Sequence, residues 1–292
     1  MEISKNRHNP LTFSNTSLEN LRKHYFKIRK ITNKLLEKYN ENSFVRDPSV
    51  DIRAIALENG IIEIELVAGK EIDNEHALLV ENKIKLNKKD KIVEQHFSIA
   101  HDLKHFLLEK EEYYKKQILI FKEPYLIYKK PEVIAKAKAL NAVARYADNS
   151  KPLKYNYKLR RFFKYVSKQI AEVVSENMGK NVKAKKAKNI LTKVFNTYIE
   201  YNKYNIKTKF LNYKNLIKDA TNKLADEELA DYFAANLLVP TSRFLLWEDK
   251  SNRQIAKAFK VPIRCIKKRR EEIQHEVNFT TIKNLSSGDE MR

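Results

Sequence analysis

Residues 97–108 read Phe97-Ser98-Ile99-Ala100-His101-Asp102-Leu103-Lys104-His105-Phe106-Leu107-Leu108. On an α-helix, His101 and His105 stand one turn apart and project from the same face. Two imidazoles so placed can share one zinc ion. Ala100, Leu103, Phe106 and Leu107 point broadly the other way, toward a core. Such a helix would be buried on one side and present its histidines to a cleft. With seven histidines in 292 residues, some pair four apart arises by chance in about one sequence in seven. On the pair alone, two helix-surface histidines are the better reading.

A second segment changes the balance. Residues 227–240 read Glu227-Glu228-Leu229-Ala230-Asp231-Tyr232-Phe233-Ala234-Ala235-Asn236-Leu237-Leu238-Val239-Pro240. As a helix it puts small and apolar residues at 230, 233, 234 and 237, and Glu227 and Asp231 on one face. A carboxylate completes a His-His-Glu metal site and leaves a fourth position for water. A second carboxylate one turn on can orient a liganding histidine through its free ring nitrogen. Taken alone, this segment is an ordinary acidic helix face.

Together the two segments resemble the ImmA/IrrE family of zinc metallopeptidases. That family's pattern is an alanine followed by His-Glu-x-x-His, and later Glu-x-x-Ala-Asn/Asp-x-Phe-Ala-x-x-Leu-Leu-x-Pro. Glu227 to Pro240 matches the second motif at every defined position. Val50-Asp51-Ile52-Arg53-Ala54-Ile55-Ala56 with Gly60 resembles the family's helix before the sheet, and Ile84-Lys85-Leu86-Asn87 its strand before the active-site helix. Gln254 to Phe259, followed by Val261, resembles its helical C-terminal end. The resemblance covers residues 20–108 and 220–275. It implies a zincin-like core that holds Zn(2+) through His101, His105 and Glu227, with Asp231 behind the ligands. It also implies a cytoplasmic metallo-endopeptidase whose substrate is a helix-turn-helix repressor of phage, mobile-element or stress genes.

Three features depart from the family pattern. The catalytic glutamate is Asp102, which is one methylene shorter, about 1.5 Å of reach. The glycine before the second histidine is Lys104, whose long stem is expected to carry its charge out to solvent. The stretch between the motifs is replaced by residues 109–219. Asp102 and Lys104 support a reading of a different class, a non-catalytic zincin-fold regulator that binds nucleic acid or a protein through the insert. An enzyme localised on DNA by the insert is a third reading.

The insert has its own composition. It carries 27 Lys/Arg and 10 Asp/Glu, a net of +17, which leaves +4 of the chain's +21 for all other residues. It also holds 12 of the 15 tyrosines. Arg160 and Arg161 lie beside Phe162 and Phe163, and Lys183, Lys185, Lys186 and Lys188 form a cationic run. Cations mixed with aromatics suit phosphate contacts and base stacking. They suit equally the docking of an acidic protein, or a solvated helix face over a local tyrosine core.

The rest of the composition bounds the class. Apolar residues make up 42% and charged residues 33%, with only 4 glycines, a balance that favours a helix-rich soluble protein. One cysteine, Cys265, excludes an internal disulfide framework and fits a reducing cytoplasm. No apolar run is long enough to span a bilayer, and Met1 to Pro10 lacks an apolar signal-peptide core.

The expected architecture is α+β and helix-rich, a zincin-like core with a small sheet and an inserted helical subdomain. Residues 1–17 form a polar N-terminal segment, 18–108 and 220–277 the core, 109–219 the insert and 278–292 a loose tail. Hydrophobic spacing predicts helices over 18–39, 50–59, 95–110, 132–147, 158–178, 182–204, 226–239, 252–259 and 262–274. Residues 61–67, 77–80 and 83–86 read as strands; 118–121 and 125–128 are ambiguous.

Overall fold

A computed structural model of the chain describes residues 15–37, 47–109, 157–178, 181–204 and 213–274. In order these are α1 (Asn15–Glu37), α2 (Ile52–Glu58), β1 (Glu63–Val67), β2 (Ala77–Val80), β3 (Lys83–Asn87), α3 (Ile92–Glu109), α4 (Tyr157–Met178), α5 (Ala184–Tyr204), α6 (Tyr213–Leu238), α7 (Thr241–Leu245) and α8 (Asn252–Ala258). A further helix, α9, covers 263–274. The architecture is helix-rich α+β with one small mixed sheet. The expected helix over 132–147 and the ambiguous stretches 118–121 and 125–128 lie outside the described residues.

The chain divides into two compact units, one of residues 1–25 with 117–226 and one of 26–116 with 227–292. In the second unit the sheet has strand order β1-β3-β2. β1 pairs parallel to β3, with Ile64 beside Ile84 and Leu66 beside Leu86. β2 pairs antiparallel to β3, with Leu79 beside Ile84 and Ala77 beside Leu86. Ile84 and Leu86 are fully buried, so the central strand supplies the anchor of the apolar face. The chain leaves β3 and turns into α3, where Gln95 Nε2 donates to the Asp90 carbonyl at 3.0 Å and secures the first turn.

Helix α2 is aimed at α3 by local chemistry. Asp51 caps it, accepting from Ala54 N–H at 3.1 Å. Gly60 ends it at φ +104°, a conformation that side chains disfavour. A Cβ at Gly60 would come within 3.3 Å of the Phe106 ring, so the turn also lets backbone lie close against α3.

Helix α6 differs from expectation at its start. The sequence predicts a beginning near Asp226, whereas the helix begins at Tyr213. Leu216, Ile217, Ala220, Leu224 and Ala225 are buried at spacings of one, three and four. Asp219, Thr221 and Asn222, weak helix formers, interrupt the signal, and packing overrides them. From Leu229 to Val239, α6 and the residue beyond it are buried all round except at Asp231. A helix with no polar stripe belongs in an interior.

In the first unit, α4 and α5 pack as an antiparallel pair. Phe163 meets Phe195 edge to face at 5.3 Å between centroids. Val166, Ile170 and Val174 of α4 and Ala187, Leu191 and Val194 of α5 are buried. The Val182 amide donates to Ser175 Oγ at 2.9 Å and tightens the connection.

Candidate metal centre

Helix α3 brings two imidazoles to one side of the second unit, and α6 brings a carboxylate against them. His101 Nε2 and His105 Nε2 are 3.3 Å apart. His101 Nε2 lies 3.2 Å from one Glu227 oxygen, and His105 Nε2 lies 3.9 Å from the other. Zinc bonds of about 2.0–2.1 Å at the tetrahedral angle put neighbouring ligand atoms about 3.3–3.4 Å apart. The two separations at His101 match the edge of such a tetrahedron, whereas His105 lies farther, 3.9 Å, from the other Glu227 oxygen. Among the described residues they are the group of three or more His, Cys, Asp and Glu side chains able to converge on one ion.

Asp231, one turn after Glu227, stands where the spacing argument puts it. Its Oδ1 is 3.0 Å from His101 Nδ1. With Nδ1 engaged by that carboxylate, Nε2 is the ring nitrogen that faces His105 and Glu227. Burial disfavours a charged His101, but Asp231 and Glu227 outweigh it and hold the ring's pKa up at about 10. The local field therefore favours a positive charge at this imidazole, whether from a proton or a metal ion.

Asp102 adjoins the histidines and is buried, and its Oδ2 meets no hydrogen-bond donor. Burial pushes its carboxyl up to about 6, against the pull of His101 and His105 and with a further push from Glu227. An unpartnered buried carboxylate oxygen beside three convergent donor atoms fits a site made to receive a ligand.

Lys104 corrects the sequence reading. Spacing sends its charge to solvent, yet the residue is only 2% exposed. The cause is the position of α3: Ile99, Ala100, Asp102, Leu103, Phe106 and Leu108 are also buried, so the helix has little open flank.

The basic residues of the first unit have a different setting. Lys183, Lys185 and Lys188 are exposed and Lys186 is half-buried. Arg160 and Arg161 lie in the first turns of α4, and their side chains fall outside the described residues.

Two residues that the sequence reading does not single out join the centre. Lys268 Nζ of α9 is 3.3 Å from Glu228 Oε2 and 3.5 Å from Asp231 Oδ2. Glu228 sits inside the second motif, where its acidity is a visible signal. Lys268 lies 37 residues beyond Asp231 with no spacing to mark it.

No protein-family model matches the chain, and neither does any curated protein or solved structure.

Proposed function

We propose that this protein is a zinc-dependent metallo-endopeptidase of ImmA/IrrE type, with a zincin-like core, acting in the cytoplasm on a helix-turn-helix repressor. The observation that carries the reading is the convergence of His101, His105 and Glu227, with Asp231 bonded to the back of His101. The order of these residues along the chain and the match of Glu227 to Pro240 to the family motif supply its direction. In support of an address inside the cell, no helix among the described residues is long and apolar enough to cross a membrane, and Cys265 is a free thiol.

In this reading His101, His105 and Glu227 hold the ion, and Asp231 fixes the His101 tautomer. A zinc ion supplies Lewis acidity, polarising a peptide carbonyl and making water acidic near neutral pH. Asp102 acts as the general base. Its carboxylate accepts the proton of the attacking water and returns it to the leaving amine. Its shorter reach is the feature that would limit the rate.

The test is cleavage of a cognate repressor, followed on a gel, by wild type and Asp102→Ala with zinc content measured for both. The reading expects cleavage by wild type alone and about one zinc per chain in each protein. A second reading, a non-catalytic regulator of zincin fold, is favoured by one observation: a buried lysine, Lys104, lies between the two histidines of the helix. Its binding surface for nucleic acid or a partner would include Lys183, Lys185 and Lys188. Zinc-loaded wild type that leaves the cognate repressor intact would select it.

A further inference from the structure

We infer that Lys268 is a positioning residue for the metal centre, its ammonium holding the Asp231 carboxylate in the orientation that fixes His101. The inference rests on the metal reading proposed above. The two oxygens of Asp231 have separate tasks: Oδ1 lies 3.0 Å from His101 Nδ1, and Oδ2 lies 3.5 Å from Lys268 Nζ. A carboxylate held at one oxygen can still swing about its own axis. Held at both, it keeps its plane, and with it the direction of the imidazole.

Lys268 also neutralises Glu228, whose Oε2 is 3.3 Å away and which is 5% exposed. Glu228 and Asp231 are three apart on α6, where like charges repel. One ammonium shared between them offsets that repulsion. An exposed lysine pair would contribute little, but here one partner is buried and the other is engaged with a candidate ligand.

The helix that carries Lys268 is tied to both helices of the centre. Arg269, fully buried, donates through Nε to the Val239 carbonyl at 3.1 Å and through Nη2 to Thr241 Oγ1 at 2.5 Å, just past the end of α6. Arg264 makes a two-pronged ion pair with Glu94 in the first turn of α3. Lys268 is therefore delivered to α6 by a braced backbone, not by a free side chain finding a chance partner.

The experiment measures zinc affinity by competition with a chromophoric chelator on the full chain. Lys268→Met alone would mix two effects, because an ammonium also repels a divalent cation. Glu228→Gln with Lys268→Met removes a neutral pair and leaves the local charge unchanged. We expect this double variant to bind zinc about 10-fold more weakly, the lower end of what removing an outer partner costs. The metal-free protein should keep its melting temperature. Lys268→Arg, which keeps the charge, should retain most of the affinity. In an Asp231→Asn background the double change should have no further effect, since the group it positions is already altered. Glu228→Gln with Lys268→Gln repeats the measurement should the apolar side chain disturb folding. Wild-type affinity in the double variants, or an undiminished loss on top of Asp231→Asn, would overturn the role of Lys268. Wild-type protein that holds no zinc would instead sink the metal reading itself.

Discussion

Helices α3 and α5 each carry polar side chains about one turn apart on a shared face, and put them to opposite use. On α3, His101 and His105 meet each other and Glu227. On α5, Lys185, Lys188 and Lys193 are exposed, while Ala187, Ile190, Leu191, Val194 and Phe195 on the other side are buried. The difference lies in what surrounds each helix. α5 is amphipathic, so its charges keep their water and ask nothing of the fold. α3 is covered around most of its girth, so every ionisable group on it must find a partner or change its proton affinity. His101 is held up by two carboxylates, and Asp102 is raised by burial. Spacing decides which residues share a face; burial decides whether that face has chemistry to do. Lys104 falls on the border of the comparison, a lysine that spacing assigns to a flank and packing encloses.

Asp102 is where α3 should depart most from α5. Asp102→Ala should lower cleavage of a cognate repressor by about 10²–10⁴-fold, the usual worth of a positioned base, while elemental analysis still finds zinc. If wild type, Asp102→Glu and Asp102→Ala are equally inert with zinc bound, α3 holds a metal without using it. Leu103, fully buried on α3, should cost about 2–5 kcal/mol as Leu103→Ala in a urea titration. Lys188→Ala on the exposed face of α5 should stay within about 0.5 kcal/mol. Equal costs at the two sites would deny that α3 is the more enclosed helix. Metal affinity gives a finer division within the centre. Asp231→Asn should weaken zinc binding about 10–100-fold, and His105→Ala and Glu227→Ala should weaken it more, because they remove ligands. Full zinc in His105→Ala would remove that residue from the site.

Much of the second unit is legible in the sequence because its signals are local. The three strands fall within two residues of where alternation and turn residues put them, and α2 ends at its glycine. His101 with His105 and Glu227 with Asp231 are each readable as pairs one turn apart, and the resemblance joins the two pairs before any geometry does. What escapes depends on distant partners. The early start of α6 rests on burial of Leu216, Ile217, Ala220 and Leu224 against neighbours that the segment itself does not reveal. Lys104 goes to solvent on spacing alone because a helix seen by itself always has an open flank. Lys268 gives no signal at all, since its partners lie on α6 and its own surroundings, Ile266 to Arg270, read as one more basic turn.

The smallest and most graded effect is expected on α5 and its first turn, and it decides whether the lysine face is more than solvated. Lys183, Lys185 and Lys188 are exposed, Lys186 is half-buried, and the side of α5 opposite them is committed to α4. If this face meets nucleic acid, each lysine that neutralises a phosphate releases a counterion. The slope of log affinity against log salt should then fall in magnitude by about 0.7–0.9 for each phosphate no longer neutralised. Replacing all four with alanine should weaken single- and double-stranded probes alike, because phosphate contacts carry no sequence information. Stability should change little, since none of the four lies in the apolar contact between α4 and α5. Zinc content should be untouched, since none is a ligand. A slope unchanged by the four substitutions would move the phosphate contacts elsewhere in the basic insert. Absence of binding at low salt would leave α5 as a solvated face, and would make the contrast with α3 complete: one helix whose polar residues are enclosed and converge, and one whose polar residues only meet water.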